Sequence, residues 1–320
     1  MTSANCSVPS PDDQNYEYYM FPTVSIIALI LGLPGNLAAL YYFTFKITSR
    51  SAFSIYITNL ALADIMILCT LPFRIQYHLN QNNWVFDDIV CRITGTLFHA
   101  GMYMSICFMT CICVDRYMAT VHPHVYLKFR KVWCAIVVSI VLWCVVGVAM
   151  LVFVLMGELK TKPRGSGRYS CFENFDQKEW KSRLKAFSVF CLIFGSLVPS
   201  VIILVCYPVA ARRISRIGTK IAQKAVGVIY AILAITALSL LPYHLVYLLH
   251  VLGHIEVIQS CSMINSIHVA RRVTIALAIC NTFLDPVLYY ITTGHCEWIH
   301  TKLFNKKITR KRGVYVISMT

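Results

Sequence analysis

Between Cys91 and Tyr117 the chain reads CRITGTLFHAGMYMSICFMTCICVDRY. It opens on a cysteine, runs through mostly apolar and small residues, and closes on Asp-Arg-Tyr. An α-helix rises about 1.5 Å per residue, so about 20 residues cross a hydrocarbon core about 30 Å thick. The stretch is therefore predicted to span a membrane, with Cys91 near one face and Arg116 near the other. A charged pair such as Asp115-Arg116 is tolerable at that depth only where it faces protein or water. It reads either as interfacial snorkelling or as an ionic latch with two states.

The rest of the chain repeats this pattern. Apolar runs lie at Phe21–Phe45, Phe53–His78, Asp88–Thr120, Trp133–Met156, Ala186–Ala210, Ile221–Leu252 and Ile267–Thr292. With 58% hydrophobic and 13% charged residues, there is too little polar surface for a soluble domain of this length. The expected fold class is an all-α integral membrane protein, a seven-transmembrane helix bundle. Past the last run, Cys296, Ile299, Leu303 and Phe304 share a face beside Lys302, Lys306 and Lys307, which predicts a short amphipathic C-terminal helix lying in the membrane plane. The organisation expected is an outer tail over 1–20, the spanning domain over 21–292, and a cytoplasmic helix and tail over 293–320. The acidic, polar first twenty residues do not resemble a cleaved signal peptide.

Lysine and arginine give the orientation. Lys46, Arg50, Lys128–Lys131, Arg212–Lys224 and Lys302–Arg312 follow runs one, three, five and seven, whereas the opposite side mixes both signs. By the positive-inside rule the N-terminus is expected outside and the C-terminus in the cytoplasm. The sequon Asn5-Cys6-Ser7 then lies outside, where Asn5 is available for glycosylation. The net charge of +15 borders the spans, so it suggests anionic inner-leaflet lipid and an acidic cytosolic partner rather than nucleic acid. Most of the fourteen cysteines sit within apolar runs as small hydrophobes; Cys6, Cys91, Cys171 and Cys261 stand on the oxidising side. Four cysteines allow three connectivities, and the sequence does not choose among them.

Individual runs carry features that hydrophobicity does not require. Asn36 follows Gly35 in the first; the second has NLALAD, ending in Asp64, and then LPFR around Pro72 and Arg74. A carboxylate at mid-membrane must face the interior, where it binds a cation, shares a proton or accepts hydrogen bonds. Trp143, Pro199, Tyr207, Pro242, Asn281 and Asp285-Pro286-Val287-Leu288-Tyr289-Tyr290 follow in turn.

Taken as a set, GN, NLALAD, the third-run Cys followed by DRY, the fourth-run Trp, the fifth-run Pro and Tyr, the sixth-run Pro and DPxxYY resemble a rhodopsin-like (class A) G protein-coupled receptor. LPFRI, NNWVF, CFENF, LPYH and CNTFLDPVLYY are most similar to its nucleotide and lysophosphatidic acid receptor branch. The resemblance implies a cell-surface receptor in the plasma membrane that activates heterotrimeric G proteins, with arrestin as a further candidate partner and no enzymatic activity. It implies coupling roles for Asp115, Arg116, Tyr117, Tyr207, Pro242, Asp285, Pro286 and Tyr289. It places Asp64, Ser105, Asn281 and Asp285 where a sodium ion can be held, no other cofactor being expected. A further tail-to-loop disulfide in that branch matches Cys6 with Cys261, alongside Cys91 with Cys171. Three positions depart from the pattern: Leu240 and Thr236 replace usual aromatics, and Cys296 replaces a usual Phe. These departures put the activation switch in question.

Ligand chemistry follows from the residues. The outer part of the third run reads Phe98-His99-Ala100-Gly101-Met102-Tyr103, without the acid that an amine would need. Cations gather instead: Arg74, Arg92, His99, Lys181, Arg183, Lys185, His244, His268, Arg271 and Arg272. Arginine suits phosphate or carboxylate through paired donors, although Lys181, Arg183 and Lys185 also read as snorkelling cations. Phe98, Met102, Tyr103, Phe187, Phe190 and Leu240 would form apolar walls. The expected ligand is an anionic molecule with an apolar part, a lysophospholipid-like or other acidic lipid, with a nucleotide second. A weakly coupling or silent scavenger or heteromer-forming protein is the alternative class, and a transporter is third. No catalytic constellation or metal-site cysteine spacing is present in the sequence.

Overall fold

A computed structural model describes residues 15–47, 50–122, 124–126, 132–155, 160–161, 168–171, 185–216, 227, 230, 234–235, 238–255 and 257–307. Helix α1 spans Asn15–Tyr41 and continues as a π-turn over Tyr42–Lys46; α2 is Ala52–Leu79, α3 is Asp88–Val121 and α4 is Val132–Leu155. Helix α5 runs Lys185–Ser215 with a π-turn at Ile193–Leu197. Helix α6 is Leu241–His254 and α7 is Cys261–Lys307. Among the described residues six helices are long and apolar enough to cross a membrane, and the shorter apolar stretch Leu241–Gly253 supplies the described part of the remaining run. Lipid offers no hydrogen bonds to the backbone, so each crossing segment must satisfy its own amides as helix.

Burial sorts the helices. In its most apolar window α3 is 67% buried and α4 only 17%, so α3 is the axis of the bundle and α4 lies at its lipid-facing edge. Two glycines allow α3 to approach α2 and α1 to approach α7 closely. A Cβ on Gly101 would stand 2.9 Å from the Ala63 carbonyl oxygen on α2, and one on Gly35 would stand 2.8 Å from Pro286 Cβ on α7. Beside that second contact, Asn36 Nδ2 donates to the Thr282 carbonyl at 2.7 Å and to the Gly32 carbonyl at 3.0 Å, while its Oδ1 is buried without a donor. Asn59 accepts from Trp143 Nε1 at 2.8 Å and so joins α2 to α4.

Above the Cys91 end of α3 lies a tied roof. Cys91 is bonded to Cys171, whose strand β2 (Ser170–Cys171) pairs antiparallel with β1 (Lys160–Thr161). The turn after α2 grips the same strand. Trp84 N–H donates to the Tyr169 carbonyl at 2.8 Å, Tyr169 N–H donates to Asn83 Oδ1 at 3.0 Å, and Arg168 donates to the Gln81 side chain at 2.9 Å. Gln81 and Asn82 reach these positions in the left-handed region, at φ 55° and 57°. Cys261 is also disulfide-bonded; Asn5 and Cys6 lie outside the described residues.

Two elements differ from the sequence expectation. Helix α7 begins at Cys261 instead of Ile267, and helix continues without a break to Lys307, through the segment expected to turn into the membrane plane. Gly294 is the one glycine there and no proline follows it, so the local chemistry does not force a stop. The π-turns in α1 and α5 were not anticipated at all.

Candidate functional site

At the centre of the bundle is a layer of acids. Asp64 and Asp285 are each 0% exposed, and their carboxyl groups approach one another directly. Asn281 Nδ2 donates to Asp285 Oδ2 at 2.8 Å and, at the outer limit, to Ser105 Oγ at 3.5 Å; Asn281 Oδ1 accepts from Ser239 Oγ at 3.0 Å. Both Asp64 oxygens and Asp285 Oδ1 have no hydrogen-bond donor. Orphaned buried carboxylate oxygens are costly, and two facing carboxylates cannot both stay charged cheaply in a low dielectric. Two carboxylates and a hydroxyl form an oxygen-only donor set, which fits a hard cation such as sodium. No cluster of three or more His, Cys, Asp or Glu that could hold a metal occurs among the described residues.

Nearer the disulfide end, the same helices carry the opposite charge. The Arg74 guanidinium of α2 lies 3.6 Å over the Phe98 ring of α3, a cation–π contact. Arg271 of α7 stands 3.5 Å from His250 Nε2 of α6. Both arginines lie within electrostatic reach of the Tyr243 phenol, which is buried on α6. The ring of Tyr243 stacks on Tyr247 at 6.4 Å, and Tyr103 of α3 packs beside Tyr247 and Cys191. Tyr103 fits there because α5 opens as a π-turn: a Cβ on Gly195 would meet Tyr103 Cδ1 at 2.7 Å.

The other expected cations divide. His244 is buried beside Tyr243 with neither ring nitrogen hydrogen-bonded, and exposed His268 meets the His250 ring at 5.7 Å. Arg272 is half-buried next to Arg271. His99 folds back on its own helix, its Nδ1–H donating to the Gly95 carbonyl at 2.8 Å. Lys185 is exposed at the start of α5. Arg92 is not part of the cluster: it pairs with Asp88 and donates to the Val154 carbonyl at 2.7 Å, toward α4. Lys181 and Arg183 lie outside the described residues. His250 and Tyr243 were missed as site residues, although Tyr243, Tyr247 and His250 share one helical face by their spacing.

The apolar walls also divide. Phe98 and Met102 belong to the central core, and so does Leu240, so the missing aromatic there is replaced by aliphatic packing. Phe187 touches both the roof cluster and the Tyr103 cluster. With Phe190 and the α4 residues Val145, Val148 and Val152, Phe187 lines an apolar groove of about 600 Å³ between α4 and α5.

At the opposite end, Arg116 Nη2 donates to Asp115 Oδ2 at 2.9 Å, and Tyr126 donates to Asp115 Oδ1 at 3.2 Å. The Arg116 guanidinium also lies 4.1 Å over Phe53 of α2. Buried Tyr207 stands within electrostatic reach of both Arg116 and Asp285, and its hydroxyl has no hydrogen-bond partner. Tyr289 lies near Asp64 and Asp285, and Tyr117 approaches His122 Nε2 at 3.4 Å. Pro242 stands in the first turn of α6, and Pro286 sits against Gly35.

A bundle of seven apolar helices with an ion pair at one end and a bonded roof at the other is the architecture of a seven-span receptor. The profile of the 7 transmembrane receptor (rhodopsin family) matches residues 35–289, and the chain belongs to that family. It is a G protein-coupled receptor, a multi-pass plasma-membrane protein and not an enzyme. It is 32% identical to lysophosphatidic acid receptor 6 of Gallus gallus over 298 residues, covering 92% of this chain and 95% of that receptor. It is 32% identical to lysophosphatidic acid receptor 4 of Homo sapiens over 289 residues, 88% of this chain and 76% of that one. With a purinoceptor of Meleagris gallopavo it shares 30% identity over 294 residues, 90% and 80% of the two chains.

Proposed function

We propose that the receptor binds an anionic, lysophospholipid-like molecule at the disulfide end, facing the cell exterior, and opens its Asp-Arg-Tyr end to a G protein in the cytosol. The observation that carries this reading is the pair of arginines at this end of the bundle, Arg74 over Phe98 and Arg271 beside His250, both within electrostatic reach of the buried Tyr243. Neither guanidinium can be neutralised by losing a proton, so a phosphate is the complementary partner. The groove between α4 and α5, walled by Phe187 and Phe190, has the apolar character that an acyl chain requires. The names of the lysophosphatidic acid receptors above favour the same chemistry.

On binding, Arg116 would leave Asp115, with Tyr207 and Tyr289 stabilising the released form, and a Gα helix would dock in the groove so exposed. A sodium ion among Asp64, Ser105, Asn281 and Asp285 would stabilise the closed form. The N-terminal tail with Asn5 would be extracellular, and the segment from 293 onward would be cytoplasmic, where arrestin could also bind. The test is G protein activation in cells given lysophospholipids, nucleotides and neutral lipids, with and without Arg116→Ala. Activation by lysophospholipid that is abolished by Arg116→Ala, at unchanged surface expression, is the expected result. A response to nucleotides alone selects the second ligand class, which the likeness to the Meleagris gallopavo purinoceptor favours; silence throughout selects the scavenger alternative.

A further inference from the structure

Where α1 ends in its π-turn and α2 begins, a small cavity of about 130 Å³ opens at the Asp-Arg-Tyr end of the bundle. Its polar lining is Thr44, Arg50, Ser54, Thr58 and Asn59. Three of these are already engaged. Ser54 and Thr58 donate to the Ser51 and Ser54 carbonyls at 2.8 and 2.9 Å, and Asn59 donates to the Ile55 carbonyl at 2.8 Å. The Thr44 hydroxyl is buried without a partner, since the π-turn leads it into the crease between the helices. Arg50 is exposed, and the two ion pairs among the described residues, Arg92–Asp88 and Arg116–Asp115, do not include it.

A guanidinium fork outside those ion pairs and an orphaned Thr44 hydroxyl free to donate match a phosphoryl group, whereas the Ser54 and Thr58 hydroxyls have spent their hydrogens on carbonyls and only wall the cavity. The cavity is too small for a sugar or an acyl chain. Its height also selects the source: it lies between the last residues of one apolar span, Tyr18–Lys46, and the first of the next, Ala52–Leu79, where lipid headgroups sit. We propose that this crease is a binding site for the phosphate of an anionic phospholipid in the leaflet at the Asp-Arg-Tyr end, independent of what binds at the arginine layer. The lipid would bridge the ends of α1 and α2, with its acyl chains remaining in the bilayer.

The experiment uses the full chain in nanodiscs of phosphatidylcholine containing a minority of phosphatidic acid, with retained lipid counted by native mass spectrometry. Arg50→Gln should lower retention of phosphatidic acid roughly tenfold, the loss of one charge-assisted contact. Thr44→Val should lower it by a smaller factor, and Arg50→Lys, which keeps charge but not the fork, should fall between. Arg212→Gln, at the end of α5, should retain the wild-type amount. Equal loss in Arg212→Gln would reduce the effect to a general basic belt and overturn the site, as would full retention in Arg50→Gln. Heat protection by inorganic phosphate in pure phosphatidylcholine discs, equal to that given by phosphatidic acid, would assign the crease to a free anion and overturn the lipid.

Discussion

The acid layer and the arginine layer are built on the same helices, yet they pose opposite chemical problems. Along α2, Asp64 and Arg74 are ten residues apart, about 15 Å by the helical rise. Asp285 and Arg271 stand on α7 in the same order across the membrane. A pair of facing carboxyls can be relieved from within, by a proton or a small cation. Arginines keep their charge, so their level is suited to an anionic partner. The contrast teaches that one layer is suited to internal regulation and the other to recognising a molecule from outside.

If that division holds, the two layers respond separately. The combined substitution Arg74→Ala with Arg271→Ala is expected to weaken lysophospholipid potency by at least about a hundredfold, each charge-assisted contact contributing about 1.5–3 kcal/mol. Dose–response curves of surface-expressed receptor check this, and the sensitivity of agonist affinity to sodium should survive the change. Asp64→Asn should do the reverse: replacing sodium by a large organic cation should no longer alter agonist affinity, while preference for anionic ligands stays. A sodium response that persists in Asp64→Asn would break the division at its inner layer.

A third test sharpens the boundary between the layers and the groove. Gly195→Ala places a methyl group 2.7 Å from Tyr103 Cδ1 and should displace that ring, lowering potency several-fold and thermal stability by about 1–3 kcal/mol. Smaller side chains at position 103 should restore stability in the double variant, as thermal melts would register. The smallest effect is expected for Tyr243→Phe, which removes the hydroxyl within electrostatic reach of both arginines but keeps the ring stacked on Tyr247. A loss of about 0.5–1.5 kcal/mol, read as a few-fold shift in potency, is the scale of one hydrogen bond.

Much of this arrangement was legible in the chain. Apolar length alone marks the helices, and the cost of charge in lipid marks Asp64, Asp285, Arg74 and Arg271 as interior-facing. Arg92 shows where that logic misleads: Asp88 stands four residues earlier on the same face, and the i,i+4 pair takes up its charge. Tyr126 was invisible because its contact with Asp115 depends on how the chain turns after α3, which no periodicity encodes. The α5 π-turn was invisible for a related reason. When a helix is apolar on nearly every side, one extra residue per turn leaves no mark on its pattern.

That turn has a consequence for anyone who recombines this chain. An extra residue held in one wide turn keeps the downstream helix about 100° from where an unbroken helix of the same length would carry it. Phe187 and Cys191 before the turn, and Ile203 and Tyr207 after it, all pack inward only because that residue is absorbed between them. The two halves of α5 are thus in different reading frames. A chimera that replaced Ile193–Leu197, residue for residue, by a regular helical segment would need one residue removed at the junction; without that deletion, Tyr207 would swing from the bundle interior toward lipid.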